Sequence, residues 1–131
     1  ADLRIAICHS PALYAQFPHL GAAITLVGHS HGGQIRLPGC EAHFTHGNYP
    51  RRLASGLFRY RESEEMPARL FDHSQVLSAE APLCASTADG PLLYVSRGVG
   101  MGVIPARLTC PPEMLLIELA PEDAEGDACD E

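Results

Sequence analysis

Two short apolar runs, separated by a helix-starting signal, constrain this chain more than any other feature. Residues 3–8 (LRIAIC) and 23–27 (AITLV) are each long enough for a buried strand and too short for a core helix. Between them, Ser10-Pro11 has the chemistry of an N-cap followed by proline at the first helical position. A short helix is therefore predicted over 11–17, ended by Pro18 and Gly21. A β-α-β unit places its two strands in parallel, so both carboxyl ends open on one side of the sheet. The first run ends at His9, and the second passes directly into Gly28-His29-Ser30-His31-Gly32-Gly33. Three histidines, His9, His29 and His31, are thus expected on one rim.

The segment Val27-Gly28-His29-Ser30-His31-Gly32-Gly33 supports two chemistries. It satisfies G-x-S-x-G, the nucleophile elbow of α/β-hydrolases, with Ser30 as nucleophile. An elbow needs a helix after the serine, then an acid and a histidine later in the chain. Here Gln34-Ile35-Arg36-Leu37 alternates and meets Pro38-Gly39, which predicts a third short strand and a turn. Only Asp72 with His73, or Glu41 with a later histidine, would complete a triad, and neither follows a recognisable strand. A serine esterase using Ser30 is kept as an alternative, with a hydrogen-bonding spacer the favoured role for this serine.

The other chemistry belongs to the histidines. Imidazoles two residues apart in a glycine-flanked loop can converge on one metal or divide between two, and they suit zinc, iron and manganese. His19 at the helix end and His73 read as surface residues; His43 and His46 in the loop 40–52 could reach the site, but the favoured reading is of loop residues. Cys8, beside His9 on a strand, should point to the opposite face and serve as a core residue.

Further along, 53–60 reads as a strand weakened at Gly56, and 92–96 as a clear strand. Residues 61–90 are polar and mixed, with Pro67 and Pro82, and a short helix is a candidate near 69–77. Gly98, Gly100 and Gly102 form a flexible turn, and 105–110 and 113–119 are extended on either side of Pro111-Pro112. The order β-α-β followed by several β runs indicates an α/β or α+β architecture. The 131 residues suffice for one small domain, and no apolar run approaches the length needed to span a bilayer. Ala1-Asp2 enters a strand-like run at once, the start expected of an excised piece.

The formal charge of −7 is unevenly placed. Residues 121–131 hold six acids and no base, leaving nine arginines against ten acids in the remainder. The acidic end is expected to be a solvated, disordered tail. There is no basic footprint for nucleic acid. Five cysteines, at 8, 40, 84, 110 and 129, show no C-x-x-C spacing, which argues against a disulfide framework and a thiolate zinc site. A reducing, cytoplasmic setting is the default, with peripheral membrane association as the alternative.

Gly28-His29-Ser30-His31-Gly32-Gly33-Gln34-Ile35-Arg36-Leu37-Pro38 resembles the GHxH region of calcineurin-like metallophosphoesterases, in particular a bacterial, membrane-associated phosphodiesterase branch. Ala6-Ile7-Cys8-His9-Ser10-Pro11 is similar to that family's strand-end histidine motif, with Ala12 where members often carry Asp. The segments 51–57 (RRLASGL), 93–100 (LYVSRGVG) and 107–113 (RLTCPPE) resemble later parts of the branch.

The resemblance implies a carboxyl-terminal portion, 1–120, of a β-sandwich flanked by helices, with 61–90 as an insertion and the amino-terminal half absent. It implies a phosphoester substrate, two divalent metals (manganese, iron or zinc), His9 and His29 on one metal and His31 on the other; Gly32, Gly33 and Gln34 are then candidate backbone or amide donors to the phosphate. Any membrane anchor would lie outside this chain. The family's D-x-H, bridging Asp and Asn-His pair have no counterpart here, and Gly47-Asn48-Tyr49 is a chance likeness to Gly-Asn-His. Half of a dinuclear site is therefore expected, and a chain that is inactive alone.

Overall fold

The computed structural model describes residues 2–62, 64–71 and 85–121. Five four-residue strands, β1 (Ile5–Cys8), β2 (Ile24–Val27), β3 (Gly56–Arg59), β4 (Ala68–Phe71) and β5 (Leu92–Val95), form one mixed sheet in the order β1-β2-β5-β3-β4. β1, β2 and β5 run parallel, with Cys8 beside Val27 and Val27 beside Val95. β3 lies antiparallel to β5 and to β4. The architecture is a small mixed α/β domain of the α+β kind, with few helical segments, and among the described residues the strands make a single sheet.

The alternation of side chains along each strand sorts the apolar residues onto two faces. One face carries Val27, Phe58, Leu93 and Val95, packed with Phe17, Tyr49, Leu53 and Tyr60. Cys8 packs against this cluster while His9 is exposed, as strand alternation requires. The opposite face holds Leu57, Leu92 and Tyr94, with Ile24, Leu26 and Phe71 at their margin. β1 is an edge strand, and Ile5 and Ile7 remain exposed on it.

The crossover from β1 to β2 is a 3-10 segment, Pro11–Leu20, rather than an α-helix. Ser10 caps it as expected, accepting a hydrogen bond from the Ala12 amide, and Gly21 closes it at φ 64°. Pro18 lies inside it and Leu13 departs from helical geometry, which keeps it from lengthening into a regular α-helix.

Three other expectations change. Residues 34–37 do not form a strand; Gln34 has φ 49°, and only Ile35 bridges, to Leu108. The stretch 53–60 divides into a 3-10 turn, Arg51–Ala54, and β3, which begins at Gly56. At 69–71 the chain is strand, not helix; β4 pairs with β3, and the Arg69 guanidinium lies 5.5 Å from the Phe58 ring centre. Pairing and packing override a weak local helical pattern here. The rest of the proposed 69–77 helix, His73 and the acidic tail from 122 onward lie outside the described residues. No helix among the described residues is long and apolar enough to cross a membrane.

Burial pushes the phenols of Tyr60 and Tyr94 above their ordinary range; Tyr14 adds to the effect at Tyr60 and Glu113 at Tyr94. Tyr60 donates to the Tyr14 carbonyl at 2.6 Å, and Tyr94 to Glu113 at 3.1 Å. A raised folded-state pKa means that this stability is complete below about pH 10 and declines as pH rises toward the folded values. Thermal unfolding measured between pH 8 and 12 should show a melting temperature that falls above pH 10. Phenolate absorbance from these two residues should appear together with that loss.

Candidate functional site

The parallel strands deliver their carboxyl ends to one rim. The Gly28 amide donates to the His9 carbonyl at 3.2 Å, and the Ser96 amide to the Val27 carbonyl at 2.8 Å. His9 and His29 are thereby brought together, with ring centres 4.6 Å apart and ring planes tilted by 48°. His29 and His31 line the same open cavity of about 230 Å³, with His46, Gly102 and Val103 completing the lining.

The loop that presents these imidazoles is built from unusual backbone. His29, His31 and Gln34 have φ of 68°, 50° and 49°, and Gly32 and Gly33 add 65° and 81°. Each left-handed non-glycine residue costs on the order of 1 kcal/mol, so the conformation must be held by its surroundings. Ser30 is fully buried and donates its hydroxyl proton to the Ala54 carbonyl at 2.6 Å, while accepting from the Gly32 amide at 3.3 Å. That proton is committed to a carbonyl, not to a histidine, and only a three-residue 3-10 turn, His31–Gly33, follows. Ser30 therefore acts as the spacer that fixes the loop, and the geometry of a nucleophile elbow is not present.

The three donors expected to face a phosphate are already engaged. The Gly33 amide bonds the Ser30 carbonyl at 2.9 Å and the Gln34 amide bonds the His31 carbonyl at 3.1 Å. The Gln34 side chain is buried, donating to Ile104 at 2.6 Å and Ala106 at 3.0 Å and accepting from the Gly102 amide at 2.5 Å. Gly32 itself is enclosed: a methyl group there would lie 2.6 Å from Arg97 Cγ and 2.6 Å from Cys110 Sγ. These residues shape the loop instead of offering it to a ligand.

Two arginines that the motif did not point to hold the rim. Arg107 donates to the carbonyls of His31 at 3.1 Å, Arg97 at 2.8 Å, Gly98 at 3.2 Å, Gly100 at 2.5 Å and Cys110 at 3.1 Å. Arg97 pairs with Glu113 at 3.0 Å, both side chains almost fully buried, and Glu113 also accepts from the Arg97 amide at 2.8 Å. A charged residue directly after the apolar run 92–96 was the available sequence signal. Among the other histidines, His19 and His43 are exposed and absent from the cavity lining, whereas His46 reaches it.

As a metal site the arrangement is partial. His9 and His29 are close enough to act on one ion, but among the described residues no three or more of His, Cys, Asp and Glu gather as a metal-holding group. No carboxylate lines the cavity. The donors present fit one corner of a site and not a closed dinuclear centre. Comparison with protein-family models, with curated proteins and with solved structures finds no match for this chain.

The loop geometry gives opposite expectations for neighbouring positions. His31→Gly should leave stability unchanged or raise it by about 1 kcal/mol, since glycine enters the left-handed region freely. Gly32→Ala should destabilise by about 1–3 kcal/mol through overpacking against Arg97 and Cys110. Thermal or urea unfolding of both variants measures the contrast directly.

Proposed function

We propose that this chain carries the GHxH part of a metal-dependent phosphoester hydrolase of the calcineurin-like metallophosphoesterase kind, a phosphodiesterase or phosphatase. The observation that carries the proposal is the meeting of His9 and His29, rings 4.6 Å apart, at the carboxyl ends of adjacent parallel strands. His31 lies on the same cavity as His29. In this reading His9, His29 and His31 are metal ligands, and the second layer of a β-sandwich would cover the apolar side of β1, where Ile5 and Ile7 are exposed.

Bound divalent metals would supply a hydroxide nucleophile and charge neutralisation for the phosphoryl group. What this chain's own residues do is narrower. The β1–β2 pairing fixes the separation of His9 and His29. The left-handed loop aims His29 and His31, and Ser30 and Arg107 hold that loop against its own strain. Three imidazoles without a carboxylate neutralise two dications poorly, so the proposal requires acidic ligands beyond those that line the described site. A metal-binding module without catalysis is the second reading, favoured by the partial ligand set.

Calorimetric titration of the purified chain with Zn²⁺ or Mn²⁺ should show weak binding of at most one ion, abolished by His29→Ala. Hydrolysis of a chromogenic phosphodiester by the same chain should be undetectable. Turnover that depends on His29 would contradict the partial-site proposal, and absence of any metal binding would contradict the metal-dependent one. Labelling of Ser30 by a fluorophosphonate would instead support the serine esterase.

A further inference from the structure

We infer that His46 is the phosphate-contacting side chain of this site, donating a hydrogen bond from Nε2 to a non-bridging phosphoryl oxygen. The inference rests on the phosphoester-hydrolase proposal and names a residue that the GHxH motif does not contain.

Position comes first. Gly102 forms the floor between His31 and His46. A methyl group on Gly102 would lie 3.6 Å from His31 Cδ2 and 3.6 Å from His46 Nε2. The loop 40–50 therefore folds back so that the polar edge of this imidazole reaches the same small volume as the motif histidine. Phe44 braces the ring edge-on, with centres 5.3 Å apart and planes at 84°. His43, three residues earlier on the same loop, does not reach the cavity.

The chemistry of the lining then selects the guest. His29, His31, His46, Gly102 and Val103 include no carboxylate, so an anionic oxygen entering this part of the site meets no like charge on its lining. A phosphoryl oxygen needs a donor, and charge-assisted hydrogen bonds to such oxygens are the strong ones. The amides of Gly32, Gly33 and Gln34 and the Gln34 carboxamide all have acceptors within the fold, and the Gly102 amide donates to Gln34. His46 brings its Nε2 beside the space above Gly102, while His29 and His31 on the same lining are the histidines given to metal in the proposed function.

The test is a histidine-resolved NMR titration of the 131-residue chain, first with Zn²⁺ and then with inorganic phosphate. Zinc should shift the imidazole signals of His9 and His29, and phosphate should then shift His46 Nε2 saturably. His46→Ala should weaken phosphate binding about tenfold or more, with an unchanged melting temperature, and His46→Gln, which keeps an N–H donor, should recover part of it. Phosphate that leaves His46 unmoved, or binds His46→Ala as well as the unaltered chain, overturns the inference while zinc at His9 and His29 keeps the parent proposal. A zinc shift at His46 as large as that at His29 makes it a metal ligand and also overturns it. Failure of zinc to move His9 and His29 removes the proposal on which the inference stands.

Discussion

Arg107 joins three segments whose only β pairing with one another, among the described residues, is the Ile35–Leu108 bridge: the histidine loop through the His31 carbonyl, the glycine loop through Arg97, Gly98 and Gly100, and the closing segment through Cys110. A planar guanidinium offers five fixed N–H directions, so one side chain can satisfy several converging carbonyls at once. An ammonium on a flexible stem has three donors and no such fork. The rim of this sheet is made of turns, whose backbone groups have few regular partners, and one cation substitutes for the missing ladder. The buried Arg97–Glu113 pair completes the arrangement by anchoring the start of the glycine loop to the segment after Pro111-Pro112.

This scaffold explains how the loop can sustain its backbone. Left-handed residues at His29, His31 and Gln34 are unfavourable individually, and a loop left to itself would relax. Ser30, sealed inside and tied to Ala54, fixes the centre; Gln34, sealed and tied to 102–106, fixes the end. On either side of Ser30 the imidazoles of His29 and His31 line the cavity. Strain held by buried polar contacts around side chains that project into a cavity is the arrangement expected of a preorganised binding site.

The ligand chemistry sets the scope of the proposed function. Imidazoles bind transition metals without neutralising them, and phosphoester hydrolysis at paired metals draws on carboxylates for that purpose. In the proposed reading those acids are supplied from beyond the described site; β1 itself is an edge strand with Ile5 and Ile7 uncovered. The cavity beside Gly102 is lined by histidines without acids, and on the proposed function it is where phosphoryl oxygens would sit.

The sequence by itself determined the parallel β1–β2 unit, its Ser10 cap, the Gly21 stop and the common rim of His9 and the His29–His31 loop, because each follows from local periodicity, capping chemistry and the handedness of a crossover. It also placed Cys8 toward the core and His9 away from it, since strand alternation is a local rule. Only the tertiary structure decided that 34–37 makes a single bridge, that 68–71 pairs as a strand, and that Gln34 is a structural clasp. It alone brought His46 to Gly102 and Arg107 to His31, partners separated by dozens of residues in the chain. Backbone carbonyls in turns and the folding back of a loop leave no periodic trace in a sequence; they are settled by which distant groups the sheet brings within hydrogen-bonding reach.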